Sequence, residues 1–128
     1  MNITKTVIVA AGPDGVWATI GDFGAIAEWH PWVPNCALDP DGKTRTISLD
    51  PTDAIEVLTG TVGYRQLYTV TQSPMAIADY SASLGIESSG TGSLITWTAE
   101  FTPLDDEAEA QVEAFFEKGL NALKERFG

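Results

Sequence analysis

Only one cysteine, Cys36, and one histidine, His30, occur in this 128-residue chain. A lone cysteine forms no intrachain disulfide, and one thiol with one imidazole falls short of a zinc site's ligand set. No metal and no cofactor is therefore expected. A nucleophilic Cys36 would need a basic partner, and the nearby His30 is the one candidate, so the thiol reads better as interior filling. Basic residues are scarce too: seven Lys and Arg stand against eighteen Asp and Glu, a net charge of −11. Phosphate backbones and anionic membrane surfaces need clustered positive charge, which excludes nucleic acid and disfavours membrane docking. The acidic balance serves solubility instead. No apolar run reaches about 18 residues, so membrane insertion is not expected. Met1-Asn2-Ile3-Thr4-Lys5 lacks a charged-then-apolar leader pattern, which makes the cytoplasm the expected home. Repeats, low-complexity segments, a glycine-rich phosphate loop and a serine nucleophile elbow are all missing. What remains is a single domain over residues 1–128.

The order of elements can be read from punctuation and period. Ile3 to Ala11 is β-branched and ends at Gly12-Pro13, a first strand. Pro13 and Asp14 suit the first turn of a short helix, with Val16, Trp17 and Ile20 on its apolar side. Trp17 is expected in the core. Asp22 can cap a second short helix through Ala25 to Trp29, stopped by Pro31. From Val33 the period changes to two. Arg45, Ile47 and Leu49 share one strand face, Asp50-Pro51-Thr52-Asp53 is a turn, and Ala54 to Val62 runs back. Further strands follow at Tyr64 to Gln72, Ala78 to Glu87 and Ser93 to Thr102, the last two joined through Ser88 to Gly92. Tyr80, Ala82, Leu84 and Ile86 share a face, and Ile95, Trp97, Ala99 and Phe101 point inward.

The final segment is a long amphipathic helix. Val112, Phe115, Phe116, Gly119, Leu120, Leu123 and Phe127 recur at steps of three and four, behind a dipole-favoured Asp105-Asp106-Glu107. Gly119 on its apolar side costs about 1 kcal/mol against alanine, which makes sense where the helix must pass close to a sheet or ligand. One strand, two short helices, six strands and a long helix make an α+β fold, a curved antiparallel seven-stranded sheet wrapped on the helix. Such a sheet cannot close perfectly, and an apolar cavity is expected between them.

Asp22 to Trp32 gathers two of the four tryptophans, the histidine and a helix-stopping proline. Val16-Trp17 through Asp22-Phe23, with Trp29-His30-Pro31, resembles the opening of the polyketide cyclase/dehydrase-like family. Arg45, Glu56, Tyr68, Tyr80, Trp97 with Phe101, and Gly119 to Lys124 follow in matching order. The resemblance covers the whole chain and implies the helix-grip fold of the START-type (SRPBCC) superfamily, whose members bind hydrophobic ligands or act on them.

The candidate site residues each admit two readings. His30 could move protons or touch a ligand, or its imidazole could bond a neighbouring carbonyl and fix the loop after the helix. If the hairpin turns at Pro51 and Thr52, Ile47 opposes Glu56, and Arg45 and Glu56 are diagonal neighbours. They then either pair with each other across two strands or offer a polar handle to a ligand carbonyl or hydroxyl. Tyr68, Tyr80 and Trp97 are core or cavity wall, each with a donor that wants a partner. Phe115, Phe116 and Leu120 supply a helical wall, and Trp29 and Trp32 an entrance. The functional expectation is a binder of a small hydrophobic, partly oxygenated, lipid- or polyketide-like molecule, acting as a monomer or homodimer. The alternative is a cyclase, dehydrase or aromatase that uses cavity polar groups for proton transfer or carbonyl polarisation.

Overall fold

The computed structural model describes residues 1–49 and 51–128. The first strand, β1 (Asn2–Val9), ends before Gly12, whose extended backbone caps helix α1 (Pro13–Ile20). Pro13 opens that helix, where its missing N–H costs nothing. Val16 and Ile20, four apart, are its buried side. Trp17, expected in the core, is half-buried at the margin and stacks on Tyr64 with ring centroids 5.3 Å apart. The second short helix forms as a 3₁₀ helix, Phe23–Glu28, capped by the Asp22 carboxylate, which accepts from the Gly24 N–H. Six residues before a proline leave little room for regular α turns.

The rest of the chain supplies β2 (Cys36–Leu38), β3 (Thr44–Ile47), β4 (Ala54–Thr61), β5 (Arg65–Gln72), β6 (Ile77–Ser89), β7 (Gly92–Pro103) and helix α2 (Ala108–Phe127). They make one seven-stranded sheet in the order β1-β7-β6-β5-β4-β3-β2, antiparallel throughout. The expected alternation holds: Tyr80, Ala82, Leu84 and Ile86 on β6 and Ile95, Trp97, Ala99 and Phe101 on β7 are all buried. Gly90, at a φ of +59°, takes the left-handed geometry of the tight β6–β7 turn. Register shifts at Ile55/Glu56, Leu58/Gly60 and Ala78/Ser81 mark bulges, and bulges bend a sheet. The last of them holds Asp79 at a φ of +52° and sits beside Tyr80.

One expected register is corrected. Arg45 lies directly opposite Glu56, and Ile47 opposite Ala54, two residues away from the pairing that a tight turn at Pro51-Thr52 would impose. The connection is longer than a two-residue turn, because pairing already stops at Ile47 and Ala54. A shift of two leaves every side chain on its original face, so hydrophobic alternation cannot detect it. The expected turn at Asp50 to Asp53 falls partly on Asp50, outside the described residues.

Helix α2 packs against the sheet, chiefly on β1 and also on β7, and buries Ala108, Val112, Phe115, Phe116, Gly119, Leu120 and Leu123. No described helix is long and apolar enough to cross a membrane. Gly119 is a point of close approach. A Cβ there would come within 2.7 Å of His30 Cδ2 and 2.8 Å of Trp97 Cζ3. Alanine would gain about 1 kcal/mol of helix propensity, but overpacking of two rigid rings typically costs about 1–3 kcal/mol. Gly119→Ala is therefore expected to be destabilising on balance, by roughly 1 kcal/mol, in urea denaturation. A gain in stability would mean that the helix stands farther off the sheet than this.

Candidate ligand-binding site

Between α2 and the sheet lies an inner cavity of about 30 Å³, room for a water or two. Five of the expected site residues line it: Glu56 from β4, Tyr68 from β5, Tyr80 from β6, and Phe115 and Phe116 from α2. Ile47, Leu49, Ala54, Val70, Ser73, Met75, Ile77 and Val112 complete the wall. A second, open groove of about 310 Å³ lies at the N-terminal part of α2, between Gln111 and Ala114 on the helix and Trp32, Leu49, Pro51, Pro74 and Met75 on the loops. Trp32, expected at an entrance, is 47% exposed and borders this groove. Leu49 and Met75 border both spaces, so these two flexible side chains form the partition between mouth and interior.

At the polar end of the cavity, Arg45 and Glu56 are buried to 4% and 8% exposure. Arg45 donates from Nε to Glu56 Oε1 at 2.8 Å, and its Nη2 lies 2.6 Å from the same oxygen. Its Nη1 donates to the Phe23 carbonyl at 2.9 Å, tying the 3₁₀ helix to the sheet. The guanidinium also sits 3.9 Å from the Phe23 ring centroid and 5.2 Å from that of Tyr68. The two residues thus pair with each other, and Glu56 alone of the pair reaches the cavity wall. Removing one partner of such a pair strands a buried charge, a loss of about 3–5 kcal/mol.

Above this pair the aromatic groups are coupled. Trp97 Nε1 donates to the Tyr68 hydroxyl at 2.9 Å, and the Tyr68 and Tyr80 hydroxyls interact. Burial raises the proton affinity of both phenols, with the Glu56 charge adding to it, so both keep their protons. Trp97 itself lies behind the wall, stacked on Phe116 at 4.4 Å between centroids. Trp29 and Leu120 are likewise buried in the packing around the cavity, without lining it. Cys36 is half-buried, and burial raises its thiol's proton affinity.

His30 is 1% exposed and lies outside the cavity wall. Its Nε2 is 2.8 Å from the Phe115 carbonyl, which can only accept, so Nε2 carries the proton. The Trp32 backbone N–H donates to Nδ1 at 3.2 Å, so that nitrogen is bare. The ring stacks on Phe115 at 4.0 Å and ties the entrance loop to α2. Burial, helped by the Arg45 and Lys118 charges, lowers its pKa to about 4 against the pull of the Phe115 carbonyl.

Of the other wall residues, Ile47 and Leu49 were expected on a strand face turned to the cavity, while Ala54, Val70, Ser73, Met75, Ile77 and Val112 were not named for it. Ala54 and Val70 are two residues from Glu56 and Tyr68 on the same strand faces, and Val112 belongs to the α2 stripe, so those three carried a signal. Met75 follows Pro74 in a loop, where no period points inward.

The unfolded chain binds a proton on His30 near pH 6.5 while the folded chain refuses it until about 4. The stabilisation is complete above pH 6.5 and is lost as pH falls from 6.5 toward 4, to a limit of roughly 3 kcal/mol. As the only histidine, it gives one set of ring signals in a long-range proton–nitrogen NMR titration. A Nε2-protonated neutral ring down to about pH 5 is expected; titration near 6.5 would contradict the buried, doubly bonded ring.

Comparison with known proteins agrees with this architecture. The family model described as polyketide cyclase/dehydrase and lipid transport matches residues 1–128. No curated protein matches significantly. Among solved structures, the protein XoxI from Bacillus cereus is 25% identical with a TM-score of 0.92, over 98% of this chain and 94% of that one. A START superfamily protein from Mycobacterium smegmatis is similar at 18% identity and a TM-score of 0.77, covering 98% of this chain and 96% of its own. The Aha1 protein from Colwellia psychrerythraea, solved as a dimer, shares the fold at 13% identity and 0.80, over 99% and 96%. With its seven-stranded antiparallel sheet gripping a long C-terminal helix, the chain belongs to the polyketide cyclase/dehydrase and lipid transport family, within the START-type helix-grip fold.

Proposed function

We propose that this protein binds a small, hydrophobic, partly oxygenated molecule between the sheet and α2. The observation that carries this reading is the contiguity of the inner cavity and the outer groove across Leu49 and Met75. The inner space is too small for a ligand as it stands. Rotation of Met75, an unbranched and adaptable side chain, would join it to the groove at modest cost. In this reading Glu56, Tyr68, Tyr80, Phe115 and Phe116 contact the ligand, and Trp32 flanks its entry. Arg45, Trp29, His30, Trp97 and Leu120 hold those groups in place. The family to which the chain belongs supports ligand binding as a class of function.

The same geometry weighs against proton transfer as the protein's task. His30 has both nitrogens engaged and a pKa of about 4, and the phenols are held protonated by burial. For a cyclase or dehydrase, the Glu56 carboxylate, already paired with Arg45, is the one cavity-lining group left that could act as a base. We take the protein as a cytoplasmic monomer or homodimer, and its charge of −11 disfavours docking on anionic bilayers.

A neutral fluorescent probe such as N-phenyl-1-naphthylamine tests the route and the chamber together. Met75→Ala should strengthen its binding about fivefold by opening the partition, and Val70→Phe should weaken it by a similar factor or more by filling the chamber. Equal affinities in all three proteins would remove the cavity as the binding site.

A further inference from the structure

The two oxygens of Glu56 are in different situations. Oε1 takes both contacts from Arg45, through Nε and Nη2. Among the described residues, no donor reaches Oε2, although Glu56 lines the cavity. Each of Arg45's three nitrogens has a partner, Nη1 through the Phe23 carbonyl, and the Phe23 and Tyr68 rings flank its guanidinium. It does not line the cavity. Among the described residues no Lys, Arg or His lines it either, so an anion entering would meet a carboxylate edge with no cation on the wall. A cation gains little, because the ion pair is neutral as a whole and the walls are apolar, which makes desolvation of an ammonium costly. A neutral group that donates a hydrogen bond avoids both penalties. It would give an under-satisfied carboxylate oxygen the donor it lacks, and bonds to charged acceptors are the stronger kind.

Resting on the binding function proposed above, we infer that the inner end of the cavity selects ligands carrying a neutral hydrogen-bond donor, a phenol or alcohol hydroxyl, held by Glu56 Oε2. Carboxylic acids such as fatty acids are rejected, and groups that only accept, such as ketones and ethers, gain nothing from Oε2. The wall suits a flat ring behind the hydroxyl, since Tyr68, Tyr80, Phe115 and Phe116 contribute four aromatic faces or edges, with Val70 and Ile77 beside them. Donor selectivity follows from the ion pair's asymmetry: a fork-to-fork pairing with one guanidinium nitrogen on each carboxylate oxygen would leave neither oxygen without a donor.

The test uses four probes of one shape, 4-ethylphenol, ethylbenzene, 4-ethylanisole and 4-ethylbenzoate, on the wild-type chain near pH 7. Binding is read by carbon–proton NMR, with the Met75 and Ile77 methyls locating the site. The phenol is expected to bind about tenfold tighter than ethylbenzene and the anisole, with the benzoate weakest. In Glu56→Gln the preference for phenol over ethylbenzene should shrink to about threefold or less while ethylbenzene affinity changes little. Equal binding of phenol, ethylbenzene and anisole to the wild type overturns the donor selectivity and leaves the cavity function standing. Binding of none of them, or shifts away from Met75 and Ile77, overturns both. The wild-type series decides the matter by itself should the Gln variant fold poorly.

Discussion

The ion pair between Arg45 and Glu56 organises the polar end of this molecule. Among the described residues, these are the two buried groups that carry formal charge at neutral pH. Desolvating them is costly, and what repays it is specific: two contacts to one carboxylate oxygen, one to the Phe23 carbonyl, and an aromatic face against the guanidinium. Those bonds join β3, β4 and the 3₁₀ helix at one point. They also fix which surface the cavity meets. The positive partner is turned into the protein and the negative one toward the open space, so the pair is neutral in total and one-sided in chemistry.

The opposite wall depends on a close approach. Because Gly119 has no side chain, α2 settles against His30 and Trp97. His30 then reaches the Phe115 carbonyl and binds the entrance loop to the helix, while Trp97 reaches the Tyr68 hydroxyl across the sheet. Imidazole and indole thus act as struts, and their polar atoms are used up in positioning the cavity wall. The polar groups left on the cavity wall are two protonated phenols, the Ser73 hydroxyl and one carboxylate oxygen. In the proposed binding function these groups recognise a ligand hydroxyl.

Much of this was legible in the residues. The period-two faces of β6 and β7 and the three-and-four stripe of α2 gave the fold, because burial imposes those periods directly. Gly119 announced a close contact, though its partners, His30 and Trp97, are far away in the chain. Arg45 and Glu56 were readable as a pair because a charge on an apolar face needs a partner; their register was not, since a two-residue slip preserves the face. Met75 escaped notice altogether, as a loop residue has no period to betray its direction. His30 was open to both of its readings until the Phe115 carbonyl, 85 positions away, could be placed beside it.

Thermodynamic coupling between the two buried charges tests this account most directly. In a double-mutant cycle on Arg45→Met and Glu56→Leu, each single replacement strands a charge and should cost about 3–5 kcal/mol in denaturant unfolding. The double replacement should cost far less than their sum, with a coupling energy of about 2 kcal/mol or more. Additive losses, within about 0.5 kcal/mol, would mean that the two side chains act independently. The one-sided ion pair would then no longer explain the cavity's polar end.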